Sequence, residues 1–193
     1  MILEGVVTTI GEGGECHLAP MGPVTDTEIS QLLLRPYKTS TTYQNLKKNP
    51  AGVFHITDDV LLIAKLIVKQ VGLPHEVFPA EIIKGNVLRS CCRWYEFQVV
   101  SLNDENERTE IEAEILHTGQ LREFLGFNRA KHAVIEAAIL ASRIHLLPAT
   151  EILEQIARLK EPVQKTAGAQ EIKAFQLLDD FINEQLELKN HNE

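Results

Sequence analysis

The chain has 193 residues, 44% of them hydrophobic and 24% charged, enough for one large domain or two small ones that bury a core without disulfides or metal. Its net charge of -8 argues against a nucleic-acid partner, because a phosphate backbone calls for clustered Lys and Arg. The three cysteines (Cys16, Cys91, Cys92) form no disulfide framework, and no signal-peptide pattern opens the chain. The longest apolar run, Val60 to Val71, contains Lys65, Lys69 and Gln70 and is too short and too polar to span a bilayer. A reduced, cytoplasmic protein with no membrane contact is expected.

In chain order, Ile2 to Ile10 is rich in β-branched residues, Gly11 to Glu15 is a turn, and Cys16 to Val24 returns as the second arm of a hairpin. Glu28 to Leu34 is a third strand, ended by Pro36. Ser40 to Thr42 places hydroxyls at the N-cap of a short helix that Asn49-Pro50 stops. Val53 to Thr57 is a strand, and Asp58 or Asp59 caps an apolar helix to about Val71. A loop from Gly72 to Pro79 precedes a long strand within Ile82 to Leu102. After the polar turn Asn103 to Asn106, Ile111, Ala113 and Ile115 alternate on one face, which predicts a second hairpin. From Leu121 the period becomes helical: Ala130 to His145, then a helix capped by Thr150 and broken at Glu161-Pro162, then Ala169 to Leu188. Its stripe is Ile172, Phe175, Leu178, Phe181 and Ile182. Strands first and helices after predict an α+β chain, with a boundary near residue 120.

Two stretches bear on chemistry. Between Arg35 and Asn45 lie two cations, four hydroxyls and a helix start, where free N–H groups and the helix dipole attract an anion. Ser and Thr are neutral donors, and Arg35 can grip a phosphate with two hydrogen bonds. A capped surface helix with solvated charges has the same spacing. The second stretch is Arg129, Lys131 and His132, three cationic or titratable side chains in a helical first turn. They oppose the dipole by roughly 0.3–1 kcal/mol each, a penalty that a bound anion would reverse and that solvent or acidic neighbours would also relieve. His132, Glu136 and Arg143 share one face as a structural ion pair, without the further ligand a metal needs. Cys91 and Cys92, adjacent on a strand, point to opposite faces as inert thiols, and Cys16 belongs to the core. His55 either lines a pocket or stands half exposed, with His17 and His75 scattered elsewhere. No nucleophile elbow, Walker loop or dinucleotide fingerprint is present.

Glu4-Gly5-Val6-Val7-Thr8, the Gly-rich turn and Leu18-Ala19-Pro20-Met21-Gly22 resemble the opening of the FMN-binding split barrels, which include flavin reductases and pyridoxamine-phosphate-oxidase-like proteins. Leu32 through Thr42, Asn45-Leu46 and Gly52-Val53-Phe54 are similar to the reductases' phosphate-binding segment and following strand. Arg35 to Tyr43, Gly52 to Asp59 and Gly126 to Ala137 are in turn similar to an archaeal and bacterial family with this barrel. The resemblance implies a split β-barrel over residues 1–120, a helical bundle over 121–193, bound FMN and a homodimer with flavin near the subunit interface. It implies that Ala19, Pro20, Met21 and Gly22 run beside the isoalloxazine ring, and that Arg35, Thr39, Ser40, Thr42 and Asn45 hold the ribityl-phosphate arm. The chain departs from the reductases in its helical tail and in lacking a nicotinamide-binding motif.

Two functions fit this reading. One is a redox flavoprotein, flavin reductase-like, exchanging electrons or hydride with an unknown substrate or donor. The other is a non-catalytic module that holds FMN or another phosphorylated ligand, with a helical domain that contacts a partner. An enzyme acting on a phosphorylated or pterin-like metabolite is a third, motivated by Arg129, Lys131 and His132.

Overall fold

A computed structural model describes residues 1–69 and 76–191 of the chain. The first hairpin joins β1 (Gly5–Ile10) to β2 (Cys16–Met21) through a turn in which Gly14 takes φ +88°, a conformation that side chains resist. Then come β3 (Val24–Thr25), β4 (Gln31–Leu34), α1 (Thr41–Lys48), β5 (Ala51–Ile56) and α2 (Val60–Ile67). After them follow β6 (Val77–Pro79), β7 (Asn86–Leu88), β8 (Arg93–Asn103) and β9 (Glu110–Gln120), and finally α3 (Arg129–Ser142), α4 (Ala149–Thr166) and α5 (Ala169–His191).

Seven strands form one antiparallel sheet in the order β2-β1-β5-β8-β9-β4-β3. The sheet curls because β8 and β9 are eleven residues long and their register shifts twice, at Glu96/Phe97 and at Val99/Ser101. The curl brings the far edge back to the chain start: Ile2 bridges Val24, Leu3 N donates to Pro23 O, and Thr25 N donates to Met1 O. This is a split β-barrel. Its core is built from Val7, Leu32, Leu34, Phe54, Tyr95, Phe97 and Ile111, and α1 adds Tyr43 and Leu46 to it. The short hairpin β6–β7 is tied to β8 through Glu96, whose buried carboxylate accepts the backbone N–H groups of Glu81, Ile82 and Ile83.

Gly119 passes against Trp94, and a Cβ there would overlap the indole ring. Gly119→Ala is therefore expected to destabilise the barrel by about 1–3 kcal/mol through overpacking. Denaturant unfolding checks this, and an unchanged midpoint would show that Trp94 has room to turn away.

By contacts the chain divides into two compact units, Met1–Thr57 with Pro74–Phe124 and Asp58–Leu73 with Leu125–Glu193. The linear boundary expected near residue 120 omits the excursion of α2, which packs on α3 and α5. In the helical unit α3 packs on α4 as well, and its buried face carries Ala130, Ala133, Ala137, Ala138 and Ala141, small side chains that allow close helix approach.

Several sequence expectations change. The third strand starts only at Gln31, because Asp26 folds the preceding residues into a turn by accepting from Ser30 N and Oγ. Short β3, β6 and β7 were not foreseen. α2 ends at Ile67, and the expected continuation to Val71 and the loop from Gly72 lie partly outside the described residues. Residues 121–128 are not helical, and α3 ends at Ser142. Pro148, not Thr150, occupies the N-cap of α4, and Pro162 lies inside that helix without ending it. Arg158, whose carbonyl loses its partner, is exposed to water, while Thr166 Oγ1 back-bonds to Pro162 O. On α5 the buried stripe is Ala174, Phe175, Leu178, Ile182 and Leu186, and Ile172 faces outward.

Candidate functional site

Arg35 follows β4 directly, and Ser40 is the N-cap of α1 with its Oγ accepting from Tyr43 N at 3.2 Å. Ser40 N donates to Tyr37 O, which folds the intervening residues into a tight turn. Ahead of Tyr43, the amides of Thr41 and Thr42 have no acceptor among the described residues. Thr39 is exposed and Ser40 half-buried. Arg35 is half-buried, its carbonyl accepts from Arg108 Nε, and no hydrogen bond or ion pair holds its guanidinium among the described residues. Two open amides, two hydroxyls and an unpartnered guanidinium thus fall in one short segment, the donor set an anion requires.

Thr42 and Asn45 lie on the inward face of α1, both buried, and Asn45 Nδ2 donates to Thr9 Oγ1 at 3.0 Å. That bond gives Asn45 a structural role, seating α1 on β1. The helix touches β2 as well. β2 is the sheet's edge strand, paired with β1 alone among the described residues. Ala19 and Met21 bond to β1, and the alternate residues Leu18 and Pro20 turn their backbone groups to the open side, where a ligand can meet them. Gly22 follows where a Cβ would come within about 3 Å of Ile2 and the Glu4 carboxylate, which explains the small residue there.

The second stretch is built differently. Asn128 caps α3, accepting from Ala130 N and Lys131 N, and Thr166 Oγ1 also accepts from Ala130 N. The first-turn amides are therefore occupied. Lys131 turns inward, donating to Asp58 O at 2.6 Å and pairing with Glu171 at 3.7 Å. Arg129 and His132 are exposed, and His132 meets Phe127 edge-on. The three side chains do not converge, and acidic and carbonyl partners, not an anion, relieve Lys131. No ion pair joins His132, Glu136 and Arg143 among the described residues.

His55 is wholly buried, neither pocket-lining nor half exposed. Its Nδ1 lies 3.0 Å from Val6 O and its Nε2 accepts from Leu88 N at 3.1 Å, so the neutral ring has both nitrogens satisfied. Burial pushes its pKa down to about 4, against the smaller opposing effect of the Val6 carbonyl. Cys91 and Cys92 precede β8 and both are buried, so they do not face opposite surfaces. Burial drives the Cys91 thiol up to about 12 and raises that of half-buried Cys16 too, which keeps both unreactive.

Two cavities of the barrel unit lie apart from the Arg35–Asn45 segment. One of about 330 Å³ is walled by Val24, Gln31, Val100 and Glu112, and one of about 300 Å³ by Arg93, Tyr95, Thr118 and Gln120. Among the described residues no cluster of His, Cys, Asp or Glu is placed to hold a metal, and no helix is long and apolar enough to cross a membrane.

This geometry has relatives among solved structures. The FMN-bound protein MM1853 from Methanosarcina mazei superposes with a TM-score of 0.79 at 24% identity, over 93% of this chain and 94% of that one. Flavoredoxin from Methanosarcina acetivorans superposes at 0.54 with 15% identity, over 65% and 72%. The styrene monooxygenase flavin reductase from Pseudomonas putida S12 superposes at 0.50 with 11% identity, over 61% and 78%. At these identities the likeness shows the fold: a flavin reductase-like barrel. No curated protein matches the sequence. Residues 3–122 match the family described as protein of unknown function (DUF447), N-terminal domain, and residues 128–180 match its second model, protein of unknown function (DUF447). The chain belongs to the DUF447 family.

Proposed function

We propose that the chain is an FMN-binding flavoprotein with a redox role. The observation that carries this is the donor set at the start of α1: the open amides of Thr41 and Thr42, the Ser40 hydroxyl and the unpartnered Arg35 guanidinium beside an edge strand. A dianionic phosphate fits those donors, and the free side of β2, toward which Leu18, the Pro20 carbonyl and Gly22 turn, offers backbone groups to the polar edge of a planar ring, with Ala19 and Met21 bonded to β1 between them. Pro20 contributes a flat apolar surface and no N–H. The FMN-bound state of MM1853, which shares the fold over nearly the whole chain, supports the same ligand.

Bound FMN supplies the hydride or electron chemistry. The chain's own residues bind and orient. Arg35, Thr39, Ser40 and the α1 amides fix the phosphate, and Thr42 and Asn45 hold the helix that carries them. The segment is an open surface within one chain, which favours a homodimer whose second copy covers the flavin.

Titrating FMN into purified protein tests the reading, and absence of binding at micromolar FMN overturns it. Arg35→Ala is expected to weaken binding by about 1.5–3 kcal/mol, roughly ten- to a hundredfold, through loss of a charge-assisted contact. An affinity within about twofold of wild type would remove Arg35 from the site. Rapid-mixing reduction with NADH and NADPH separates a reductase from a module that only holds the flavin. Sedimentation reads the dimer directly.

A further inference from the structure

The candidate anion segment is held along its length by one distant turn, that between β8 and β9. Arg108 Nε donates to Arg35 O, and Thr109 N and Oγ1 both donate to Pro36 O at 2.9 and 2.8 Å. Lys38 N donates to Glu107 O at 2.9 Å. The last grip is a three-part clasp: Tyr43 Oη donates to Asp104 Oδ2 at 2.6 Å, and Lys47 Nζ reaches Tyr43 Oη at 2.9 Å and Asp104 Oδ2 at 2.8 Å.

Packing does not explain the clasp. The Tyr43 ring is anchored in the core whether or not its hydroxyl is bonded. Asp104 and Lys47 are 36% and 55% exposed, and ion pairs at such exposure add little stability. What the clasp fixes is orientation. α1 has eight residues, too few to be stable alone, so the direction in which its first amides point is set by what holds it. Lys47, and then the Tyr43 hydroxyl, keep the Asp104 carboxyl down at about 2, so the clasp stays charged through the physiological range.

We propose that Asp104 is a positioning residue for phosphate recognition: through Tyr43 and Lys47 it aims the start of α1, and so gives the site its preference for a phosphorylated flavin over the unphosphorylated one. This rests on the FMN reading above.

The test titrates FMN and riboflavin, which differ only in the phosphate, into wild type, Asp104→Asn and Tyr43→Phe. Both variants are expected to bind FMN about tenfold more weakly, with riboflavin affinity kept within about twofold. The sign is diagnostic for Asp104→Asn. Removing a negative charge near an anion site tightens anion binding by Coulomb's law alone, so weaker FMN binding isolates the positioning effect. Unchanged or tighter FMN binding, or parallel loss of both flavins, overturns the inference. Should Asp104→Asn fail to fold, Tyr43→Phe, which keeps the buried ring, decides alone by the same comparison. A wild type that binds neither flavin, or both alike, overturns the phosphate cradle itself. A wild type that prefers FMN, with both variants keeping that preference, overturns the role of Asp104 only.

Discussion

Glu96→Ala is expected to destabilise the barrel by about 3–5 kcal/mol, the cost of removing one side of a buried charged hydrogen-bond set. Glu96 has no exposed surface. Its Oε1 accepts from Glu81 N at 2.8 Å and Trp94 Nε1 at 3.2 Å, and its Oε2 from Ile82 N at 2.8 Å and Ile83 N at 3.2 Å. Burial by itself raises the pKa of this carboxyl, but the four N–H donors together outweigh it and hold the group below its ordinary value. Alanine leaves those donors without an acceptor and frees residues 81–83 from β8. Glu96→Gln keeps the shape but turns an amide nitrogen toward N–H groups, so an intermediate loss is expected. Urea unfolding measures both, and a loss under about 1 kcal/mol for alanine would mean that the loop finds other acceptors.

Acid is expected to weaken the fold before its carboxylates titrate, and His55 is the reason. Its pKa is about 4 in the fold and near 6.5 in the unfolded chain, so it is a depressed group. Above pH 6.5 both states are neutral and the full stability is present. As pH falls below 6.5 the unfolded chain takes up a proton that the buried ring refuses, and stability is lost until pH 4 is reached. The total is about 3 kcal/mol, with a slope approaching 1.4 kcal/mol per pH unit. Half-buried His17, whose pKa burial also lowers, adds in the same direction. Glu96 and Asp104 act lower, in the carboxylate range. Urea unfolding at pH 7.5, 6 and 5 reads the slope, and equal stability at all three would contradict the burial of a neutral His55.

Features set by neighbours in sequence were legible. Ser40 caps α1 as its place before Tyr43 to Lys48 predicts, and Ile111 and Ala113 bury one face of β9 as their alternation predicts. Features set by distant partners were not. β3 has two residues and exists because Leu32 and Leu33 lie opposite. The cationic turn of α3 suggests an anion because the sequence hides that Lys131 meets Asp58 and Glu171, 73 and 40 residues away. The same distance hid Asp104, 61 residues from the Tyr43 it grips, although the Tyr43 to Lys47 spacing was visible. Thr41 belonged to the hydroxyl run without being singled out, and its open amide emerges only once the helix start is drawn. At Pro162 a dependable local rule gave way, because an exposed carbonyl loses little when its partner is missing.

The excursion of α2 out of the barrel sequence bears on how the protein is made. α2 leaves the ribosome between β5 and β6, yet the helices it packs on, α3 and α5, are synthesised last. Its buried Ile63 and Ala64 therefore wait, uncovered, through the translation of the whole second half of the barrel. The helical unit is thus not a contiguous C-terminal segment that one cut separates from the barrel. A fragment beginning at residue 125 is a bundle missing a helix, and a barrel truncated at residue 124 carries an apolar helix with nothing to cover it.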